Sequence, residues 1–203
     1  MNVDEQIAKT RTEALRVVVI IGSTRAGRFG PTAAAWFAGQ AARRDDIEID
    51  LVDLAEAGLP QTLPDDGDPA PAQVLALAPR LAAADAFVVV TPEYNRSFPA
   101  PLKTAIDWFC EEWQAKPVTI VSYGAASGGL HATSQLREVF TELHAVTIRE
   151  TVSLPEYWNL FTADGSWPKA SADCHAAAKS AVDRLVWWAH ALRDARRRHQ
   201  YEA

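Results

Sequence analysis

The chain has 203 residues, of which 48% are hydrophobic and 23% charged, and a formal net charge of −6, which fits one globular domain with a sizeable core and argues against a general nucleic-acid binder. Residues 1–16 are polar and mixed in charge, and residues 1–15 read as an N-terminal extension without a signal peptide or membrane span; the expectation is a cytoplasmic protein with no membrane partner. Cys110 and Cys174 have no CxxC or histidine spacing around them, so they read as packing thiols in helices, with neither a disulfide framework nor a metal site.

The first apolar run, Val17-Val18-Val19-Ile20-Ile21, reads as a parallel strand covered on both faces. It leaves through Gly22-Ser23-Thr24-Arg25-Ala26-Gly27-Arg28-Phe29-Gly30, and a helix starts near Pro31, with Ala34, Phe37, Ala38 and Ala41 recurring on one side. Ile47, Ile49 and Leu51 alternate with charged residues, the pattern of an edge strand, and Asp50 and Asp53 near its end read as solvated loop residues. The continuous runs 86–90 and 118–121 are again central strands. After the first of these comes a proline-bracketed polar loop, Thr91-Pro92-Glu93-Tyr94-Asn95-Arg96-Ser97-Phe98-Pro99. Pro101 opens a third helix with Leu102, Ala105, Ile106 and Phe109 at i, i+3, i+4 and i+7, and Leu136, Val139, Phe140 and Leu143 repeat the spacing in a fourth. A last strand near 145–152 and a helix from about 171 to 197 complete five β-α units. At the end of that helix Arg193, Arg196, Arg197 and Arg198 read as cations favoured by its dipole. The prediction is an α/β fold: a three-layer sandwich around a five-stranded parallel sheet in the order 2-1-3-4-5. In that order the loops 22–30 and 91–99 line one crevice, at the place where ligands bind in open α/β sheets.

Gly22 and Gly27 outline a P-loop, but Arg28 stands where the lysine belongs and Phe29 where the magnesium-binding hydroxyl belongs. A GxGxxG fingerprint is also absent. What remains is a loop of backbone amides, hydroxyls and two guanidiniums at a helix N-terminus, suited to a phosphate monoester. The plainer alternative is a turn that only caps the helix, against which two arginines in so tight a loop argue.

GSTRxGR after the first strand, PEYNxSxPxxLKxAIDW after the third and SYGxxxGG after the fourth resemble the NADPH-dependent FMN reductase family, a flavodoxin-like family that includes quinone, azo-compound and chromate reductases. The likeness runs from about residue 16 to residue 150. It implies that Ser23, Arg25 and Arg28 hold the FMN phosphate. It places Pro92, Glu93, Tyr94 and Asn95 against the ribityl chain and isoalloxazine, largely through main-chain groups, with Ser122, Tyr123 and Gly124 on the other side of the ring. The chain departs from the family's pattern at Ala100-Pro101, where a glycine commonly follows the proline. Flavin chemistry needs positioning and electronic tuning rather than a protein nucleophile. Accordingly no catalytic side chain is singled out: Ser97 and Ser127 lack an elbow motif, His131 has no carboxylate partner in sequence and reads as a helix-start residue, and Glu93 reads as a positioning residue. Gly128-Gly129 would let the loop approach a flat ring, or simply make a turn.

Seven tryptophans exceed what core filling usually needs. Trp36, Trp187 and Trp188 read as helix packing residues, whereas Trp108 and Trp113 fall off the apolar stripe of the third helix and would face another subunit. Residues 153–170, including Leu154-Pro155-Glu156-Tyr157-Trp158-Asn159-Leu160-Phe161 and Trp167, form an aromatic insertion too long for a usual αβ connection, expected to act as a lid or an oligomer arm. The reading is an FMN-dependent NAD(P)H oxidoreductase, a homodimer or homotetramer, that passes electrons to a flavin, quinone or similar small-molecule acceptor with ping-pong kinetics. NADPH is favoured over NADH only by the resemblance, with Arg28 or Arg96 as partners for the extra phosphate. A non-catalytic flavodoxin-like electron carrier and a nucleotide-responsive binding module stand as alternatives.

Overall fold

The computed structural model describes residues 13–65, 67–160, 162, 166–167 and 172–202. Most of the expected extension at 1–15, and residues 161, 163–165 and 168–170 of the aromatic insertion, lie outside the described residues.

β1 (Leu15–Ile21) is an interior strand of the sheet, and both of its faces are apolar. Val17, Val19 and Ile21 enter one core cluster and Val18 and Ile20 the other. β2 (Ile47–Asp53) and β3 (Ala86–Pro92) pair with it in parallel on opposite sides, Val17 opposite Ile49 and Val19 opposite Val88. β4 (Pro117–Gly124) follows β3, with Val89 opposite Ile120. The order β2-β1-β3-β4-β5 is the expected one, and β2 is the expected edge, with Leu51 left exposed.

The far edge differs from expectation, because the single strand near 145–152 is two, β5 (Val146–Thr147) and β6 (Val152–Pro155), both paired with β4. Thr147 lies opposite Val118 and Val152 opposite Val121, so this chain takes five steps where β4 takes three and must bulge between them. The bulge turns the Glu150 carbonyl to accept a 2.8 Å hydrogen bond from the buried Thr119 hydroxyl, which would otherwise be unpaired inside the sheet.

Helices α1 (Gly30–Ala41) and α5 (Ala172–Arg198) cover one face; α2 (Ala72–Ala82), α3 (Ala100–Trp108) and α4 (Leu130–Glu142) cover the other. None of α1–α4 has a side-chain hydrogen bond from its own N-cap residue. They are held by burial, each large apolar side chain contributing roughly 1.5–3 kcal/mol. Trp113 belongs to this core rather than to an interface. The backbone turns extended at Phe109, so Trp113 leaves the phase of α3 and enters a 3₁₀ turn, Glu111–Trp113. It is 1% exposed, packs on Phe87 and Phe140, and donates its Nε1–H to Ile106 O. Trp108 is half-buried and donates to Pro60 O at 2.9 Å. Trp36 is buried as expected, but Trp187 and Trp188 are exposed. Cys110 follows α3 on the surface instead of packing, and Cys174 lies half-buried against the α1/α5 core; no disulfide joins them.

The sheet's N-terminal end is locked by charge. Arg193 is 6% exposed and donates to Glu13 O at 3.0 Å and to Asp85 at 3.4 Å, while Arg196 donates to Ala115 O at 2.6 Å. Two of the four C-terminal arginines are thus structural anchors, more than cations at a helix end. Beside them the buried Lys116 Nζ donates to Leu81 O at 2.9 Å and Ala82 O at 2.8 Å, the last carbonyls of α2.

Burial, reinforced by the Arg196 cation, lowers the Lys116 pKa to about 8. In the unfolded chain a lysine titrates near ~10.4, so between these values the unfolded state binds the extra proton and stability rises with pH. The stability of the native protein minus that of Lys116→Met is therefore expected to grow by on the order of 2–3 kcal/mol from pH 8 to pH 10.5, read from urea unfolding; parallel pH curves would refute this.

Candidate functional site

β1 and β3 end side by side, and the Gly22 N–H donates to Val90 O at 2.9 Å, so the exit of β1 lies flat against β3. A Cβ at Gly22 would sit 3.0 Å from a Leu102 methyl and 3.2 Å from Val90 O, which is why glycine stands there. The loop then runs through Ser23 and the exposed Arg25 to α1, whose first turn has no side-chain cap. Arg28 pairs with Asp53 at the end of β2, and Asp53 also caps the helical turn Leu54–Ala57 through the Ala55 N–H at 3.0 Å. Asp50 holds Arg80, with Nε to Oδ2 at 3.1 Å. Both aspartates thus carry ion pairs, Asp50 in the middle of β2 and Asp53 at its end, and are not solvated loop residues. The Arg28 Nε is buried and has no hydrogen-bond partner.

After β3 the Glu93 N–H donates to Tyr123 O at 2.9 Å, and Tyr94 and Ser97 exchange backbone hydrogen bonds at 2.8 and 2.9 Å. Asn95 and Arg96 between them have φ of 48° and 66°, which makes a two-residue turn of type I′. Asparagine suits that conformation; arginine does not, and is held in it by Gln135 of α4. Gln135 donates to Arg96 O at 3.0 Å and accepts from the Ser97 hydroxyl at 2.6 Å. The Tyr94 hydroxyl lies 3.3 Å from Ser23 Oγ and so ties the two loops together.

His131 does have a carboxylate partner. Glu93 Oε1 lies 3.0 Å from His131 Nδ1 and accepts from the Ser127 hydroxyl at 2.9 Å, while Oε2 accepts the His131 backbone N–H at 3.0 Å. Glu93 therefore caps α4 from a loop 38 residues away, a bond no local pattern announces. Gly128 and Gly129 serve a close approach to the protein's own strands. A Cβ on Gly129 would fall 2.4 Å from Ser122 Cβ, and Ser122 and Ser153 both donate to Gly128 O, at 2.9 and 3.1 Å.

The loops enclose a crevice of about 150 Å³. Of the expected residues, Arg25, Arg28, Pro92, Glu93, Tyr94, Tyr123 and Gly124 line it; Ser23, Asn95 and Ser122 do not. Ser23 and Ser122 are buried in the hydrogen bonds above, and Asn95 sits in the exposed turn. Lining residues that sequence reasoning missed are Phe29, Ala125, Tyr157 and Trp158. Tyr157 stacks on Phe29 with ring centroids 4.2 Å apart, and Tyr123 meets both edge-on. The Tyr157–Leu160 turn is hooked down where the Glu156 N–H donates to Gly124 O at 2.9 Å, and Trp167 Nε1 donates to Tyr157 O at 3.1 Å. Its aromatic run was the signal available in sequence, whereas Phe29 was weighed there only as a misfit in a nucleotide motif. Burial raises the Tyr123 hydroxyl pKa and keeps it protonated at neutral pH. Two guanidiniums, a helix start without a side-chain cap and aromatic walls suit a phosphorylated flat ligand. Among the described residues no group of three or more His, Cys, Asp or Glu could hold a metal ion, and no helix is long and apolar enough to cross a membrane.

A family model described as NADPH-dependent FMN reductase matches residues 15–159. The chain is 36% identical over 148 residues to an NAD(P)H-dependent FMN reductase of Schizosaccharomyces pombe, covering 69% of this chain and 74% of that one. It is 35% identical over 143 residues to a 2-hydroxy-1,4-benzoquinone reductase of a Burkholderia species, covering 68% and 76%. Among solved structures, the flavoenzyme NAD(P)H:acceptor oxidoreductase FerB of Paracoccus denitrificans superposes with a TM-score of 0.72 and 25% identity over 87% of this chain and 98% of its own.

Burial pushes the Glu93 carboxyl pKa up, but the bonds from the His131 ring, the Ser127 hydroxyl and the His131 N–H outweigh it and leave the value lowered. A carboxylate of this kind contributes stability above its unfolded pKa of ~4.3 that is lost as pH falls through the folded value. Glu93→Gln is expected to cost roughly 1–3 kcal/mol at pH 7 and less below pH 4, by urea midpoints; equal midpoints at pH 7 would show that the carboxylate holds nothing.

Proposed function

We propose, from the premise that the chain belongs to the NADPH-dependent FMN reductase family, that the crevice between the loops 22–30, 92–97 and 122–129 is where its cofactor binds. The protein is an NAD(P)H-dependent oxidoreductase that uses FMN. Bound FMN supplies the redox chemistry, accepting a hydride from NAD(P)H and passing electrons on. The residues present fit such a group. The observation that carries the assignment is the buried Arg28 Nε without a partner beside the uncapped start of α1, in a cleft walled by Phe29, Tyr123 and Tyr157.

In this reading Arg28, oriented by Asp53, and Arg25 neutralise the phosphate that the amides of residues 23–30 cradle. Pro92, Glu93, Tyr94 and Asn95 present main-chain groups from a loop that Glu93 and Gln135 fix against α4. Ser122 and Gly124 shape the opposite wall, and the protonated Tyr123 hydroxyl adds a donor. Ser23 contributes through its backbone and its contact with Tyr94. No side chain is assigned proton transfer. The crevice is smaller than the roughly 300–1,000 Å³ of most small-molecule sites, so the Tyr157–Leu160 turn acts as a lid that shifts when the site fills and excludes water from it. Ping-pong use of one open face then suits a small acceptor, a flavin or a quinone; the benzoquinone reductase relative supports the latter. A single cytoplasmic domain in a homodimer or homotetramer completes the reading.

Arg28 is committed to Asp53, whereas Arg96 is exposed, strained and without an ion pair among the described residues. Arg96 is therefore the better candidate for the extra phosphate of NADPH. Arg96→Gly is expected to raise the melting temperature by ~2–4 °C through relief of the turn and to lower the preference for NADPH over NADH roughly tenfold or more; an unchanged preference removes Arg96 from that role.

The deciding experiment is an anaerobic absorbance titration with FMN followed by NADPH. Flavin bands that bleach at catalytic rates are expected, and Arg28→Ala is expected to weaken FMN binding ~10- to 100-fold. Flavin that binds and stays oxidised would indicate an electron carrier, and absence of flavin binding would overturn the site.

A further inference from the structure

Between the C-terminal end of α1 and the first half of α5 runs a groove of about 400 Å³, within the roughly 300–1,000 Å³ of most small-molecule sites and larger than the crevice, with which it shares no lining residue. Arg25, Arg28 and Phe29 of the crevice precede α1 and the groove begins at Gln40, so the two openings sit at opposite ends of a helix roughly 18 Å long. One wall is Gln40, with Arg43 and Arg44 in the turn after α1. The other is His175, Lys179 and Asp183, which recur every four residues along α5 and so share one side of it. Ala176 and the buried Val182 add apolar surface.

The chain carries a net charge of −6, yet this lining holds three cations, Arg43, Arg44 and Lys179, against one carboxylate. That carboxylate is already engaged: Asp183 Oδ1 accepts from Arg44 at 3.0 Å and Oδ2 from Lys179 at 2.6 Å, and Arg44 is held further by Asp46 at 2.7 and 2.8 Å. Among the described residues the exposed Arg43 has no ion pair, and neither the Gln40 amide nor the His175 ring has a hydrogen bond. The Lys179 ammonium keeps two further N–H donors. Behind this wall Trp36, one turn before Gln40 on α1, is 9% exposed, its buried Nε1–H has no partner, and the His175 ring lies 6.1 Å from its indole. Donors without acceptors on both walls, beside Val182 and the methylene stems of Arg43 and Lys179, suit an anionic group carried on an apolar body. We infer that the groove between α1 and α5 binds a small organic anion, a carboxylate or phosphate ester on a short apolar body, whatever occupies the crevice.

Equilibrium dialysis of the full chain against phenyl phosphate and against benzoate, with FMN present in excess, tests this. At least one of the two is expected to bind at one equivalent per chain with a dissociation constant on the order of 0.1–1 mM, and the tighter of them identifies the anionic head. Benzyl alcohol, which lacks the charge, and inorganic phosphate, which lacks the apolar body, are each expected to bind at least tenfold more weakly. Arg43→Glu is expected to weaken binding at least tenfold. Ala176→Trp, which fills the groove and leaves every charge in place, is expected to abolish it, with flavin content and melting temperature unchanged in both variants. Arg28→Ala is expected to leave this binding as it is, which separates the inference from the assignment of the crevice. The inference is overturned if neither anion binds, if benzyl alcohol or inorganic phosphate binds as tightly, if Arg43→Glu or Ala176→Trp keeps the native affinity, or if Arg28→Ala is the variant that loses it.

Discussion

Parallel strands can be joined only by crossovers that leave the sheet and return, nearly always with one hand. In this chain the crossover from β1 passes under one face and that from β3 over the other, while the two strands stay neighbours through Val17–Ala86 to Ile21–Val90. Their exit loops are thereby forced apart above the sheet and leave a cleft that no local sequence needs to create. Every feature of the candidate site depends on that parting: the Gly22 contact with Val90, the meeting of Ser23 with Tyr94, and the approach of β4's loop from the third side.

The cleft is kept in shape by polar links that reach across the chain. Arg28 binds Asp53 over the end of β2, and Glu93 binds His131 and Ser127 over the start of α4. Gln135 clamps a turn that would otherwise relax from its positive φ. Each link satisfies a charge or a donor that the loops would otherwise leave open. Together they fix the walls formed by the loops 22–30, 92–97 and 122–129.

The central strands were legible from continuous apolar runs, and the order of the sheet from the alternation of strands with helices. The crevice was legible from two loops at strand ends. The splitting of the last strand was not, because a bulge depends on register against β4 and on a buried threonine. The fate of Trp113 turned on where α3 stopped, a boundary that the same apolar spacing runs past. His131, Asp50 and Asp53 were misread for a single physical reason: their partners lie 25 to 38 residues away along the chain, beyond any periodic signal. Phe29 and Tyr157 found their roles only through each other.

The polar lock of Asp85, Arg193, Arg196 and Lys116 sits at the N-terminal ends of the strands, the full length of the sheet away from the crevice. The charged lock and the crevice thus lie at opposite poles of the molecule, although Glu93 at the crevice pole also holds the start of α4. The turns 94–97 and 157–160 lie at the crevice pole, away from Asp85, Lys116, Arg193 and Arg196. A frame divided in this way is free to diversify its substrates over evolutionary time by rewriting a few surface turns while the rest stays constant.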